Sequence, residues 1–227
     1  MRLSPSAPRH WGPISEVVDF VARKCGSGKV LEIGPGHAPF MRANLFVDFA
    51  DTTQPPGPLY KADIATQPLP FPDKSIDFVY ARHILEDMWN PFHLIKEMER
   101  VAKSGYIETP SPIAELCRGV DGGWPPFRGY HHHRWIVWNH DGTLKVLTKY
   151  PVIEYLDIDE VWLTPLLSQP KFWNTYLLWE DKIPVRHIQS PLDYDIPRDY
   201  RRILDEAVDA SINSTVPFFS QFGAKAA

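Results

Sequence analysis

The chain has 227 residues, enough for one α/β domain, or at most two small ones, with a core that needs neither disulfide nor metal to hold it. At 44% hydrophobic and 23% charged residues, the composition is that of an ordinary globular protein and excludes a coiled coil, a collagen-like fibre and wholesale disorder. The 24 basic and 28 acidic residues leave a formal charge of −4, so no chain-wide positive field exists for phosphate backbones and nucleic acid is not an expected partner.

Proline, at 23 residues, is about twice its average usage, and together with 8 tryptophans it points to rigid loops and a loop-built pocket. Cys25 and Cys117 lie far apart, outside any C-x-x-C pair, and read as reduced thiols. The first dozen residues lack the apolar core of a signal peptide, and no later run reaches the ~18 apolar residues of a membrane span. The expectation is a cytoplasmic protein with no membrane contact.

Residues 1–12 read as a flexible tail. Pro13 suits a first helical turn, and Ile14, Val17, Val18, Val21, Ala22 and Cys25 then recur at helical spacing up to Gly26. Lys29 to Ile33 is a short apolar strand running into Gly34-Pro35-Gly36, and Leu45 to Phe49 is a second strand. Between them the chain has room for roughly two helical turns through Phe40-Met41-Arg42, which is short for a crossover helix. Tyr60 to Ile64 and Ile76 to Tyr80 are further strands, separated by the turn-rich stretch Gln67 to Asp73. Pro91 opens a helix whose Leu94, Ile95, Met98 and Val101 share one face, and Gly105 to Thr109 is a strand stopped by Pro110. Strands alternating with helices imply an α/β, doubly wound, Rossmann-like and mostly parallel sheet.

Beyond residue 110 the pattern changes. Arg134 to Trp138 and Thr143 to Leu147 flank the hairpin signal Asp141-Gly142, Asn174 to Trp179 is strand-like, and Tyr200 to Ala210 is helical. Antiparallel strands are expected to close the C-terminal edge of the sheet.

Glycines just past a strand let the backbone turn tightly and approach a ligand with no Cβ in the way, which suits a nucleotide-like cofactor at the carboxyl end of a parallel sheet. The same pair of glycines also fits a purely structural turn. A dinucleotide fingerprint would need a small residue where Pro39 stands, which disfavours NAD, and the Lys and Ser/Thr of a P-loop are absent.

Six blocks follow one another: Val30-Leu31-Glu32-Ile33-Gly34-Pro35-Gly36; Val47-Asp48; Ala62-Asp63-Ile64 with Leu69 to Val79; Arg82-His83-Ile84-Leu85-Glu86-Asp87; Asn90-Pro91 with Glu97 to Val101; and Gly105 to Pro110. In this order they resemble the blocks of class I S-adenosylmethionine-dependent methyltransferases, most closely the type 11-like group, over residues 29–110. The resemblance implies a single domain over 1–227, with 29–110 as the cofactor-binding core and 111–227 as acceptor-side loops, hairpin and edge strand. It implies S-adenosyl-L-methionine as cofactor; the acceptor depends on the loops after residue 110, which carry no specific motif, and a small molecule, such as a hydroxyl of a sugar or secondary metabolite, is the expectation.

S-adenosylmethionine carries ribose hydroxyls, an adenine amino group and an ammonium, so its site needs acceptors along the strand ends. The resemblance gives Asp48 the ribose hydroxyls, with Asp51 as a rival. It gives Asp63 the adenine amino group with Ile64 against the ring, and Glu32 the methionine ammonium. Gly34, Pro35 and Gly36 allow close approach, and Arg82 joins the cofactor-binding set. Read singly, Asp48 and Asp63 also fit turn acids, and Glu32 a cap on the following segment. His83 is the candidate base or acceptor contact, with packing under the cofactor loop as the other reading. Glu86, in the same run, is read as an acceptor-binding residue, and Asp87 stands where the family usually has a histidine.

His131, His132 and His133 are read first as polar lining of the acceptor pocket, second as a solvated loop cluster and third as a metal site, so no metal is expected. In a strand, His131 and His133 would share a face and His132 would point away. Trp124-Pro125-Pro126-Phe127 reads as a lid or loop staple, and exposed aromatics would support a homodimer. The alternatives are a non-catalytic binding protein of the same fold and, opposed by Pro39 and Glu32, an NAD(P)-dependent oxidoreductase.

Overall fold

A computed structural model describes residues 15–49, 54–122, 126–189 and 195–213. The expected tail, Pro13, Ile14, Asp51, Trp124 and Pro125 lie outside them. The described residues form two compact units, one drawn from Gly12–Glu108 and Leu177–Ile183, the other from Thr109–Tyr176 and residues 184 onward.

In the first unit, helix α1 (Ser15–Cys25) buries Val17, Phe20 and Val21 and stops at Gly26, whose φ of +50° supplies the left-handed turn. Strands β1 (Val30–Ile33), β2 (Leu45–Asp48), β3 (Leu59–Lys61), β4 (Phe78–Arg82) and β5 (Ser104–Pro110) follow, with helix α2 (Pro91–Val101) between the last two. With β8 (Asn174–Glu180) they make a six-stranded sheet in the order β3-β2-β1-β4-β5-β8. Each adjacent pair from β3 to β5 is parallel, and β8 is the antiparallel edge. The order reverses direction between β1 and β4, which is where a sheet of this kind opens a crevice for ligands. α2 is capped by the side chain of Asn90, which accepts from the His93 N–H, and buries Leu94, Ile95, Met98 and Val101. From α2, Arg100 donates to the carbonyls of Leu69 and Phe71 and to Asp73, fixing the proline-rich loop that precedes β4.

The β1–β2 crossover holds turns and no helix. Pro35 and Pro39 bring no N–H to a helical ladder, and the N–H of Phe40 donates to Glu32 Oε2 at 2.8 Å instead. β3 is shorter than its pattern suggested, leaving Asp63 and Ile64 in the turn beyond it.

In the second unit, β6 (Trp135–His140) and β7 (Thr143–Thr148) form a hairpin turning through Asp141 and Gly142 at φ of +51° and +78°, the primed turn that an Asp-Gly pair favours. The hairpin does not join the main sheet. It pairs with β9 (Val185–Ile188), parallel to β7, in a sheet of its own. Short helices α3 (Pro112–Leu116), α4 (Glu160–Leu163) and α5 (Pro170–Trp173), with the long α6 (Ile196–Asn213), enclose a core that includes Ile113, Trp138, Leu147, Trp173, Tyr200 and Leu204. No helix among the described residues is long and apolar enough to cross a membrane.

Candidate functional site

The glycine turn follows directly from the burial of β1. All four residues of that strand are buried, so the chain must reverse sharply at its end, and Gly34 and Gly36 do so at φ of +64° and +54°. A Cβ on Gly34 would lie 2.1 Å from Ile84 Cδ1, the tip of a side chain that would have to shift, and a Cβ on Gly36 would meet nothing within 4 Å, so at both positions it is the left-handed φ that favours glycine.

Glu32, 4% exposed, stands on β1 opposite Phe46 of β2 and Tyr80 of β4. Burial pushes its carboxyl up to about 7, against the opposing effects of the Phe40 N–H and the positive charge of Arg82. The Phe40 ring stacks on Tyr80 at 4.2 Å, and Tyr80 on Tyr106 at 5.3 Å, so the carboxylate stands near a three-ring apolar stack.

At the tip of β4, Arg82 pairs in register with Glu108 of β5 and donates Nε–H to Glu108 Oε1 at 2.9 Å. Tyr106 donates its hydroxyl to the other oxygen of Glu108 at 2.6 Å. Burial works to raise the Glu108 carboxyl, but the His83 hydrogen bond and the Arg82 charge outweigh it and hold the group below the usual carboxylate range. Glu108 was not singled out from sequence. The available signal was an acid inside a wholly buried strand, which requires a cationic partner.

His83 adopts φ of +52°, a left-handed conformation unusual outside glycine, and its N–H bonds the Glu108 carbonyl at 2.8 Å. Its ring stands between two buried acids, Nδ1 at 3.2 Å from Glu86 Oε1 and Nε2 at 3.5 Å from Glu108 Oε1. Burial alone would lower the imidazole. The hydrogen bonds to Glu108 and Glu86 reverse that and push it up to about 9. Arg82 Nη2 and Glu86 Oε2 are buried with no hydrogen-bond partner among the described residues.

At the carboxyl ends of β4 and β5 the structure therefore sets Arg82 and His83 against Glu108 and Glu86 against His83, while Glu32 on the neighbouring β1 holds the Phe40 N–H and feels the charge of Arg82. Asp48 ends β2 and accepts the Phe49 N–H at 2.7 Å. Asp63 accepts the Ala65 N–H at 3.1 Å and the Thr66 hydroxyl at 2.5 Å, so both its oxygens serve the turn after β3, and Ile64 is buried beside it. Pro35 lies between the two turn glycines. A cavity of about 330 Å³ opens at the opposite, amino-terminal edge of the sheet, lined by Lys24, Cys25, Asp77, Lys103, Ser104, Glu180 and Asp181. Its lysines are spent on its acids, Lys24 on Glu180 and Lys103 on Asp77, and none of the residues quoted from the strand ends line it.

The histidine run belongs to the second unit and does not alternate as a strand would. His131 and His132 occupy a turn before β6, and both direct Nδ1 to Asp121 Oδ2, while His133 is buried with Nδ1 at 2.6 Å from Glu115 Oε1.

Residues 25–107 match a family described as a methyltransferase domain. Among solved structures, the chain is similar to a SAM-dependent methyltransferase from Aquifex aeolicus at 15% identity, covering 43% of this chain and 64% of that one with a TM-score of 0.34. It is similar to an S-adenosylmethionine-dependent methyltransferase from Mesorhizobium loti at 13% identity, covering 50% and 59% with a TM-score of 0.37. It is similar also to the [4+2]-cyclase SpnF at 20% identity, covering 43% and 45% with a TM-score of 0.35. The chain spans less than two thirds of the length of each of these. No curated protein matches it significantly.

Proposed function

We propose, from the match of residues 25–107 to a methyltransferase-domain family, that the protein moves a methyl group from S-adenosylmethionine to a small-molecule acceptor, a hydroxyl of a sugar or secondary metabolite. The observation that carries this reading is that the buried Glu32 of β1 and Arg82 at the end of β4 flank the point where the strand order reverses. The residues fit such a cofactor: open space lies over Gly36, Glu32 offers a buried carboxylate, and Arg82 Nη2 and Glu86 Oε2 lack partners among the described residues.

When bound, the cofactor supplies an electrophilic methyl group on a sulfonium. In this reading Glu32 holds its ammonium, Asp48 accepts from its ribose hydroxyls, and Asp63 and Ile64 border its adenine. Gly34, Pro35 and Gly36 let the backbone approach, and Arg82 offers its spare N–H. His83 and Glu86 face the acceptor. Held up to about 9, His83 is an imidazolium at neutral pH whose two ring nitrogens are turned to Glu86 and Glu108, so engaging the acceptor oxygen requires one of those contacts to be released. The neutral ring able to take the hydroxyl proton grows in as pH rises through that value. In-line displacement then asks of the protein mainly alignment and exclusion of water.

Titration calorimetry tests the donor half. S-adenosylmethionine and its demethylated product should bind, NAD(H) should not, and Gly36→Val should abolish binding by placing a branched side chain in the left-handed turn. Because Glu32 ionises near 7 and its anion favours a bound ammonium, affinity should be roughly ten-fold weaker at about pH 6 than at about pH 8, and flat in Glu32→Gln. Binding that ignores both substitutions would place the cofactor elsewhere. Labelled donor incubated with mixed cell extract then reads the acceptor class directly.

A further inference from the structure

We infer that Asp121, His131 and His132 form a binding site for a divalent first-row transition ion of the zinc type. This site lies in the second unit and does not depend on the methyl-transfer reading. Each residue offers one ligand atom, and the three atoms lie within 4.8 Å of one another. Asp121 Oδ2 is their common point: His131 Nδ1 is hydrogen-bonded to it, and His132 Nδ1 stands 3.8 Å from it. The two rings are crossed at 80° with centroids 5.4 Å apart, so neither stacks over the other's donor atom. Ligands ~2.0–2.2 Å from a tetrahedral ion sit roughly 3.3–3.6 Å from each other, a spacing that small rotations of these side chains reach.

The turn that carries the two histidines is anchored from beneath. His133 is buried against Glu115, and the Tyr130 ring stacks on His133 at 4.5 Å. Lys149 Nζ donates to Glu115 Oε2 at 2.6 Å and to the carbonyls of Arg128 and Tyr130 at 3.0 and 2.7 Å. Burial would raise the Glu115 carboxyl, but Lys149 and His133 hold it below the usual range, so this anchor stays charged and intact at neutral pH. The backbone on both sides of His131 and His132 is therefore fixed before an ion arrives, which removes much of the ordering cost of binding.

Two imidazoles and one carboxylate select zinc, cobalt, nickel or copper over magnesium or calcium, which prefer all-oxygen shells. His131 and His132 are about half exposed, at 60% and 49%, leaving the remaining coordination positions to water. The site is thus open, unlike a closed structural zinc site.

The test uses the full chain, with Zn²⁺ followed by calorimetry, Co²⁺ by its visible ligand-field absorption, and Mg²⁺ as the contrasting ion. About one zinc per chain should bind with micromolar affinity, Mg²⁺ at the same concentration should not compete, and Asp121→Asn or His132→Ala should each weaken binding at least roughly ten-fold. Circular dichroism and melting of the variants confirm that their folds are kept. The inference is overturned by wild-type protein that shows no saturable Zn²⁺ binding, by equal competition from Mg²⁺, or by unchanged affinity in the Asp121→Asn, His132→Ala double variant. None of these readouts involves methyl transfer, so failure here leaves the cofactor reading standing.

Discussion

His83 holds a backbone conformation that costs an L-residue about 1 kcal/mol, and it does so where its ring meets two buried acids. The Glu108 carbonyl on its N–H and the Glu86 carboxylate on Nδ1 over-determine that geometry. The ionic consequence has a definite sign. A histidine raised from its ordinary 6.5 to about 9 stabilises the fold as a cation, fully at pH values below the ordinary one, and that stabilisation is lost as pH climbs through about 9. An NMR titration of the imidazole should place the His83 midpoint well above neutrality, and Glu86→Gln should move it down towards the ordinary value. A wild-type midpoint near 6.5 would show that the two acids do not charge the ring.

At the scale of elements, β4 and β5 approach so closely that a Cβ on Gly105 would lie 2.6 Å from Val79 Cγ1 and 2.7 Å from Trp179 Cζ2. Neither neighbour has room to withdraw, since both are buried. Gly105→Ala should therefore destabilise by about 1–3 kcal/mol in urea unfolding, the usual size of an overpacking defect. A neutral result would mean that the strands part more easily than their packing implies. Strand β1 was legible as an apolar run ending at Gly34-Pro35-Gly36 and β5 as one stopped at Pro110, and α1 and α2 because their apolar residues repeat at helical spacing. Helices α3, α4 and α5 were not legible because four or five residues are too few to display a helical period, and strand β9 because two of its four residues, Arg186 and His187, are polar. The crossover after Gly36 departs from helix for a reason sequence does carry, two prolines, but the capture of the Phe40 N–H by Glu32 is a tertiary event. In the site, Glu32, Arg82, His83 and Glu86 were visible as members of ordered blocks. Glu108 was hidden because its role depends on strand register, which sets it beside Arg82 and which no local pattern encodes.

At the scale of the whole chain, the first unit is not contiguous in sequence: residues up to Glu108 are completed by Leu177–Ile183. That returning segment buries Leu177, Leu178, Trp179 and Ile183, and its backbone is tied in by Asp181 N–H to the Lys103 carbonyl at 2.9 Å and Ile183 N–H to Glu99 Oε1 at 2.6 Å. Fully burying side chains of this kind contributes ~1.5–3 kcal/mol each, an upper estimate, so losing the segment removes roughly 6–12 kcal/mol. That is comparable to the whole net stability of a typical domain, ~5–15 kcal/mol. A fragment ending at Pro110 therefore carries every strand from β1 to β5 yet should show no cooperative urea transition by circular dichroism. Because β8 runs antiparallel beside β5, a tight connection can join them. A chain in which a short glycine-rich turn links Pro110 to Asn174 and continues through Ile183 should recover a cooperative transition. If the fragment ending at Pro110 unfolds cooperatively with the midpoint of the full chain, the returning strand is dispensable and the first unit is defined by residues 15–108 alone.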